Sequence, residues 1–248
     1  MAAPKDSKGD ASAGVTLAEY ESLAARQPSL TERLKPEERE RVRRYGRERV
    51  FQRGETIFGQ GQPHDGIAVI ESGLIRSFYT SPTGREITLA YWFPGNFVGG
   101  PEVFGGGVHV WSAVAARRST VTLLAGERLR ELAREVPDLA LGIIEALVFK
   151  AKCYSSLAQM LGTRSLTERL TQVLLHLVHT YGVAENGKIA IAASFTHAEI
   201  AGMIGSTRQW VTISLNRLQR AGILSQDRGV LVVLKPDHLG SINPLLRH

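Results

Sequence analysis

The chain has 248 residues, of which 43% are hydrophobic and 22% charged, and it carries a net charge of +6. This is ordinary globular composition, which excludes a disordered or fibrous chain, and no run of 18 apolar residues marks a transmembrane helix. The single cysteine, Cys153, excludes a disulfide framework and a four-cysteine iron–sulfur cluster, and it fits a reducing compartment.

Residues 1–14 are small and polar and lack the apolar core of a secretory signal, so they read as the disordered tail of a cytoplasmic protein with no membrane association. Residues 15–45 read as helical. Thr16 with Glu19, and Ser29 with Glu32, fit the S/T-x-x-E capping box. The run from Lys35 to Arg49 mixes both charge signs, as a solvated helix face does.

From about Val50 the pattern changes. Short β-type runs alternate with turn signals at Arg53-Gly54, Gly59-Gln60-Gly61, Ser72-Gly73, Thr83-Gly84 and Pro94-Gly95-Asn96, and the alternation continues to about Thr122. Turns about every 10 to 12 residues argue an antiparallel β-sandwich or barrel. Among its aromatics, Trp92 and Phe93 read as core.

The period then becomes helical. Pro137 and Asp138 open a long segment reaching about Leu161. Leu139, Ile143, Ala146, Lys150, Cys153, Leu157 and Met160 form one stripe. Ala140, Ile144, Leu147, Ala151, Tyr154, Ala158 and Leu161 form a second. Two stripes predict one face against the chain's own domain and another against a partner helix, hence a homodimer. Ser165 and Glu168 cap a further helix to about Tyr181, and Asn186-Gly187 marks a turn.

The strongest local signal lies between Phe195 and Leu224. Thr196 and Glu199 form a capping box, with Phe195 and Ile200 as a hydrophobic staple. Gly205 ends this helix, and a second begins at once with Ser206 as N-cap and Gln209 three residues on. Two short helices joined by a tight glycine turn are a helix-turn-helix. Arg208, Gln209, Thr212, Ile213 and Asn216 face outward as candidate base readers on double-stranded DNA, since Arg suits guanine and Gln suits adenine. Thr196, Ser206, Thr207 and Arg217 join them at the interface, with Arg220, Lys188 and His197 as further phosphate candidates. Residues after Ala221-Gly222 turn at Asp227-Arg228-Gly229 to form a hairpin wing.

With these motifs in hand, the chain resembles the Crp/Fnr family of transcription regulators over nearly its full length. The resemblance rests on Phe51 to Phe58, Val69 to Gly73 and Pro94 to Gly99. It rests equally on Gly205-Ser206-Thr207-Arg208-Gln209-Trp210-Val211 and Leu218 to Leu224. It implies an α+β chain: an antiparallel, cyclic-nucleotide-binding-like β-roll with N-terminal helices (15–136), a dimerisation helix (137–162) and a winged helix-turn-helix (163–248). It further implies a non-enzymatic, allosteric DNA-binding protein with a small-molecule effector in the roll, and RNA polymerase as a partner of any activator.

The departures from the family pattern bear on the effector. In cAMP-binding members a glutamate reaches the ribose, where this chain has Gly100, then Pro101-Glu102. An Arg-Ser pair grips the phosphate, where this chain has Trp111-Ser112. Tryptophan cannot neutralise a phosphate as an arginine fork does, so the resemblance implies an effector other than cAMP, planar or apolar. Its expected contacts are Phe97, Gly99, Gly100, Trp111, Ser112, Tyr154 and Ser155. The alternative is a constitutive regulator whose roll is a ligand-free scaffold. No cofactor or metal is expected. His64, His109 and Cys153 match no haem motif, and His176 with His179 reads as a solvated face. A cupin-like enzyme would need clustered metal ligands, and His64 and His109 lie far apart in sequence. In the recognition helix, Gln209 and Ile213 replace the family's usual Glu and frequent Arg.

Overall fold

In the computed structural model, residues 29–30, 33–227 and 230–240 are described. The expected tail and the Thr16–Glu19 capping box lie outside them, as does Glu32 of the Ser29–Glu32 box. A first helix, α1, occupies Pro36–Tyr45 with acidic residues in its first turn and arginines in its last, matched to the helix dipole.

Eight strands follow: β1 (Arg47–Phe51), β2 (Thr56–Phe58), β3 (Gly66–Ser72), β4 (Ile75–Thr80), β5 (Glu86–Trp92), β6 (Phe97–Val98), β7 (Ser112–Ala115) and β8 (Ser119–Ala125). They form two four-stranded sheets, ordered β1-β8-β3-β6 and β2-β7-β4-β5, with neighbouring strands antiparallel throughout. Alternation decides the layers. On β3, Ala68 and Ile70 enter the core between the sheets with Phe51, Ile75, Trp92 and Val121. Ile67 and Val69 point the other way, into a second core under the helices. The roll is therefore buried on two sides of one sheet.

Helix α2 (Gly126–Glu135) leads into α3 (Pro137–Thr163), the 27-residue helix that crosses the roll. The first sequence stripe is buried along its whole length, from Leu139 and Ile143 through Lys150 and Cys153 to Met160. The second stripe needs correction. Leu147 and Tyr154 pack against the chain's own cores. The exposed line instead runs Leu141, Ile144, Val148, Ala151, Ser155, Ala158 and Gly162. The reason is the width of the inner face: Phe149 beside Lys150 is buried too, which rotates the exposed edge by about one residue.

After the break at Arg164, α4 (Leu166–Tyr181) starts at the Ser165–Glu168 capping box. A hairpin of β9 (Gly182–Glu185) and β10 (Lys188–Ile191) turns at Asn186-Gly187, both with positive φ. Helices α5 (His197–Ile204) and α6 (Arg208–Arg220) precede β11 (Leu224–Asp227), β12 (Val230–Val233) and the short α7 (Pro236–Leu239). The third sheet is ordered β11-β12-β10-β9. Its core joins Leu174 and Leu177 of α4, Ile200 and Ile204 of α5, Leu215 of α6 and Val233 of the wing. Leu74 and Tyr91 of the roll belong to the same core, so roll and helix-turn-helix share buried apolar surface. Gly202 makes that approach close: a Cβ there would stand 2.9 Å from the Thr88 hydroxyl of β5. Among the described residues, no helix is long and apolar enough to cross a membrane.

Candidate DNA interface and effector cavity

The start of α5 is fixed reciprocally. Glu199 N–H donates to Thr196 Oγ1 at 3.1 Å, and Thr196 N–H donates to Glu199 Oε2 at 2.7 Å. The helix ends on Gly205, whose φ of 65° is cheap only for glycine. Ser206 N–H then donates back to Ala201 O at 2.9 Å, closing the reversal. The cap of α6 differs from the sequence expectation. Thr207, not Ser206, is the N-cap, and its hydroxyl accepts from Trp210 N–H at 3.2 Å. Ser206 is buried in the turn, because closing the turn onto Ala201 carries its side chain inward.

Helix α6 buries Val211, Ser214, Leu215 and Leu218. Arg208, Gln209, Ile213, Asn216 and Arg220 are exposed, and Arg217 is half-buried. Thr212 is half-buried with its hydroxyl engaged. It donates to Arg208 O at 2.9 Å, which leaves a lone pair for a proton on His197 Nδ1, 2.8 Å away. Thr212 and His197 thus brace α6 against α5. Thr196 is exposed beside them. The geometry offers a polar face of one helix, projecting free side chains at its N-terminal end, where backbone N–H groups favour phosphate.

The second region is the junction of the roll with α3. Three side chains hold the segment 97–100 that the sequence singled out. Lys150 Nζ donates to Phe97 O at 2.8 Å. Trp111 Nε1 donates to Gly99 O at 3.2 Å, and Gly100 N–H donates to His64 Nε2 at 2.5 Å. A Cβ at Gly100 would lie 2.7 Å from the His64 ring, so this backbone has no room for the glutamate of the cAMP-binding pattern. Ser112 Oγ accepts from Gln60 N–H at 2.9 Å.

The structure brings Trp111 and Tyr154 together, with ring centres 5.5 Å apart. They line an open cavity of about 400 Å³ with Tyr79, Ile87, Leu89 and Leu157, an almost wholly apolar wall. Burial pushes the Tyr154 hydroxyl well above its ordinary range, so it stays protonated and able to donate. Phe97 does not reach this cavity. It is 1% exposed in the core beneath α3. Ser155 is exposed on the outer line of α3, and Gly99 and Gly100 are buried.

Two features escaped sequence reasoning. His64 and His109, remote in the chain, are neighbours: their ring centres are 4.2 Å apart, and His109 lies flat on Phe58 at 3.8 Å. The Nδ1 atoms of both histidines are buried without a hydrogen-bond partner. Burial, and then His64, hold the His109 imidazole down at about 4, so it is neutral. Among the described residues no group of three or more His, Cys, Asp or Glu is placed to hold a metal. The other feature is Lys150, whose ammonium sits 3.2 Å from the centre of the Trp92 ring and 4.8 Å from that of Phe97. Burial pulls it down to about 7. Its place on an apolar stripe was the available signal.

Comparison with known proteins agrees with this architecture. Residues 48–136 match the cyclic nucleotide-binding domain family, and residues 168–242 match the Crp-like helix-turn-helix domain. A CRP-like cAMP-activated global transcriptional regulator of Mycobacterium tuberculosis is 26% identical over 184 residues, 73% of this chain and 82% of the relative. A global nitrogen regulator of Synechocystis is 29% identical over 199 residues, covering 75% and 84%. The structure of the c-di-GMP responsive global regulator CLP of Xanthomonas campestris superposes with a TM-score of 0.73 at 20% identity, over 81% of this chain and 99% of that one. A Crp/Fnr family regulator of Thermus thermophilus gives 0.59 at 28% identity, over 80% and 98%. The chain belongs to the Crp/Fnr family of transcription regulators. It is a DNA-binding regulator built on a cyclic-nucleotide-binding-like roll and a helix-turn-helix, and it is not an enzyme.

Proposed function

We propose that the chain works as a homodimer on an inverted-repeat operator, with its DNA affinity set by a small, mainly apolar effector that is not cAMP. The observation that carries this reading is the position of the Trp111–Tyr154 cavity. One wall is the roll and the other is α3. Nearer its start, α3 exposes Leu141, Ile144 and Val148 in 3-4 spacing, the pattern of a helix–helix seam, and the same exposed line continues to Ala158 at the cavity. A molecule seated against Tyr154 and Leu157 touches the same helix that pairs the two subunits. It thereby biases the spacing of two recognition helices, which must meet successive major grooves about 34–36 Å apart. The division of labour follows: 15–136 senses, 137–162 dimerises and 163–248 binds DNA, with RNA polymerase as a further partner where the protein activates.

Against cAMP stand the tryptophan at the phosphate position and the crowding of Gly100 by His64. A second reading, a constitutive regulator with a scaffold roll, is favoured by one observation: Trp111 Nε1 is already satisfied by Gly99 O.

The test is selection of binding sites from a random DNA pool, followed by a thermal-shift screen of small aromatic and aliphatic compounds. An enriched inverted repeat, together with a compound that raises the melting temperature and changes operator affinity, supports the allosteric dimer. An enriched repeat with no responding compound favours the scaffold reading. Absence of DNA binding even at low salt, where phosphate contacts are strongest, overturns the assignment of the interface.

A further inference from the structure

The recognition helix carries one apolar side chain where polar ones are expected. Ile213 is 42% exposed on α6. Gln209 lies one turn before it and Asn216 one turn after, and both are exposed on the same face. It cannot retreat into the core, because Val211, Ser214, Leu215 and Leu218 already fill the inner side of the helix. Its neighbour Thr212 offers no free hydroxyl, since that group is held by Arg208 O and His197. Ile213 is therefore an apolar contact set between two polar ones, on the surface turned toward DNA.

An isoleucine has no donor or acceptor for a purine edge. In the major groove the apolar group that a base pair presents is the 5-methyl of thymine. We propose that Ile213 selects thymine at one position of each half-site through that methyl group. The inference rests on the DNA-binding reading and deepens it. Gln209 and Asn216 read flanking bases by hydrogen bonds, Arg208 reads nearer the start of the helix, and Ile213 reads by shape and desolvation alone.

The experiment starts from the operator recovered by selection. Each thymine is replaced in turn by deoxyuridine, which removes the methyl and nothing else, and Kd is measured for the parent, Ile213→Ala and Ile213→Val. The parent is expected to lose about 4-fold at one thymine per half-site, the worth of one buried methyl group. Ile213→Ala should show no such loss there, and Ile213→Val should keep it. Unfolding midpoints and binding to scrambled DNA verify that Ile213→Ala is folded. Equal Kd for thymine and deoxyuridine at every position overturns the Ile213 assignment while leaving the interface intact. So does a deoxyuridine loss that persists in Ile213→Ala. Failure of the parent to bind any DNA at low salt overturns the interface itself.

Discussion

Lys150 Nζ lies over the Trp92 indole, 3.2 Å from its ring centre, and donates to the Phe97 carbonyl at 2.8 Å. The amine thus ties the long helix to the segment 97–100 of the roll. The ring face and the carbonyl favour its positive charge, but burial disfavours it more strongly, and the nearby Cys153 thiol offsets little of that cost. Cys153 is itself pushed up to about 11 by burial, so at neutral pH it is a thiol and a poor nucleophile.

The buried amine makes stability depend on pH. Its ordinary value of 10.5 falls to about 7 in the folded chain. Between these two values the unfolded chain holds a proton that the folded chain does not, so folding stability rises as pH climbs from 7 to 10.5. Below pH 7 the penalty is fully present, roughly 5 kcal/mol at the very most. Lys150→Met should therefore be more stable at pH 7 by about 1–3 kcal/mol and should show a flatter slope above it. Urea unfolding of both proteins at pH 7 and pH 9.5 measures this. Parallel slopes would show that the amine is not the source.

His109 gives the opposite limb of the profile. It falls from 6.5 to about 4 through burial first and His64 second. As pH drops from 6.5 toward 4 the unfolded imidazole takes a proton that the folded one refuses, and stability is lost across that window. The loss is about 1–2 kcal/mol after allowance for solvent at the edge of the stack. His109→Phe keeps a ring on Phe58 and should flatten the acid limb of a melting-temperature profile. An unchanged acid limb would place the titration elsewhere.

Dimerisation is tested on the exposed line of α3. Ile144 is 56% exposed at the middle of its apolar stretch. Ile144→Glu should leave the fold and its melting temperature at high dilution little changed, because the side chain touches none of the chain's own cores. Light scattering should report a mass near 27.1 kDa for the variant and twice that for the parent. A parent that is monomeric at micromolar concentration sinks the homodimer.

The joint between α3 and the DNA-binding half is held by one guanidinium. Arg169 donates to Arg164 O at 3.0 Å, to Leu161 O at 2.5 Å and to Ile204 O at 3.1 Å. It binds the end of α3, the break and the end of α5 together. Arg169→Met keeps the stem and strips the donors, leaving three carbonyls to find water. The expected cost is about 1–3 kcal/mol. Amide exchange should quicken around residues 162–168 and 204–206 while the roll stays protected. Uniform loss of protection would mean that the residue serves global stability alone.

For the interface, Arg208→Ala should weaken operator binding by about 1–3 kcal/mol and relax preference at one base pair. Competition with single-base variants of the operator measures it. Unchanged discrimination would move Arg208 from base reader to phosphate contact.

Local rules settled a great deal in advance. The capping boxes at Ser165 and Thr196, the Gly205 stop and the Asn186-Gly187 turn follow from hydrogen bonds spanning only a few residues, so sequence spacing contains them. The inner stripe of α3 was legible for the same reason, since helical period alone groups Leu139 with Ile143 and Ala146. The cap at Thr207 slipped by one residue because two adjacent hydroxyls both suit an N-cap, and only the closure of Ser206 onto Ala201 chooses between them. The outer edge of α3 slipped likewise, since how wide a face is buried depends on what the roll presents to it.

What remained hidden depends on contacts between distant segments. Nothing local places His109 between Phe58 and His64, or turns the Lys150 amine onto Trp92. Nor does anything local empty the Gly100 position by setting an imidazole beside it. The sequence by itself determined the long helix, the helix-turn-helix and the family, because those are written in periods and caps of short range. Which side chains surround the Trp111–Tyr154 cavity, and how the Lys150 amine comes to be stripped of water beside Trp92, was decided only when the two sheets and the long helix closed on one another.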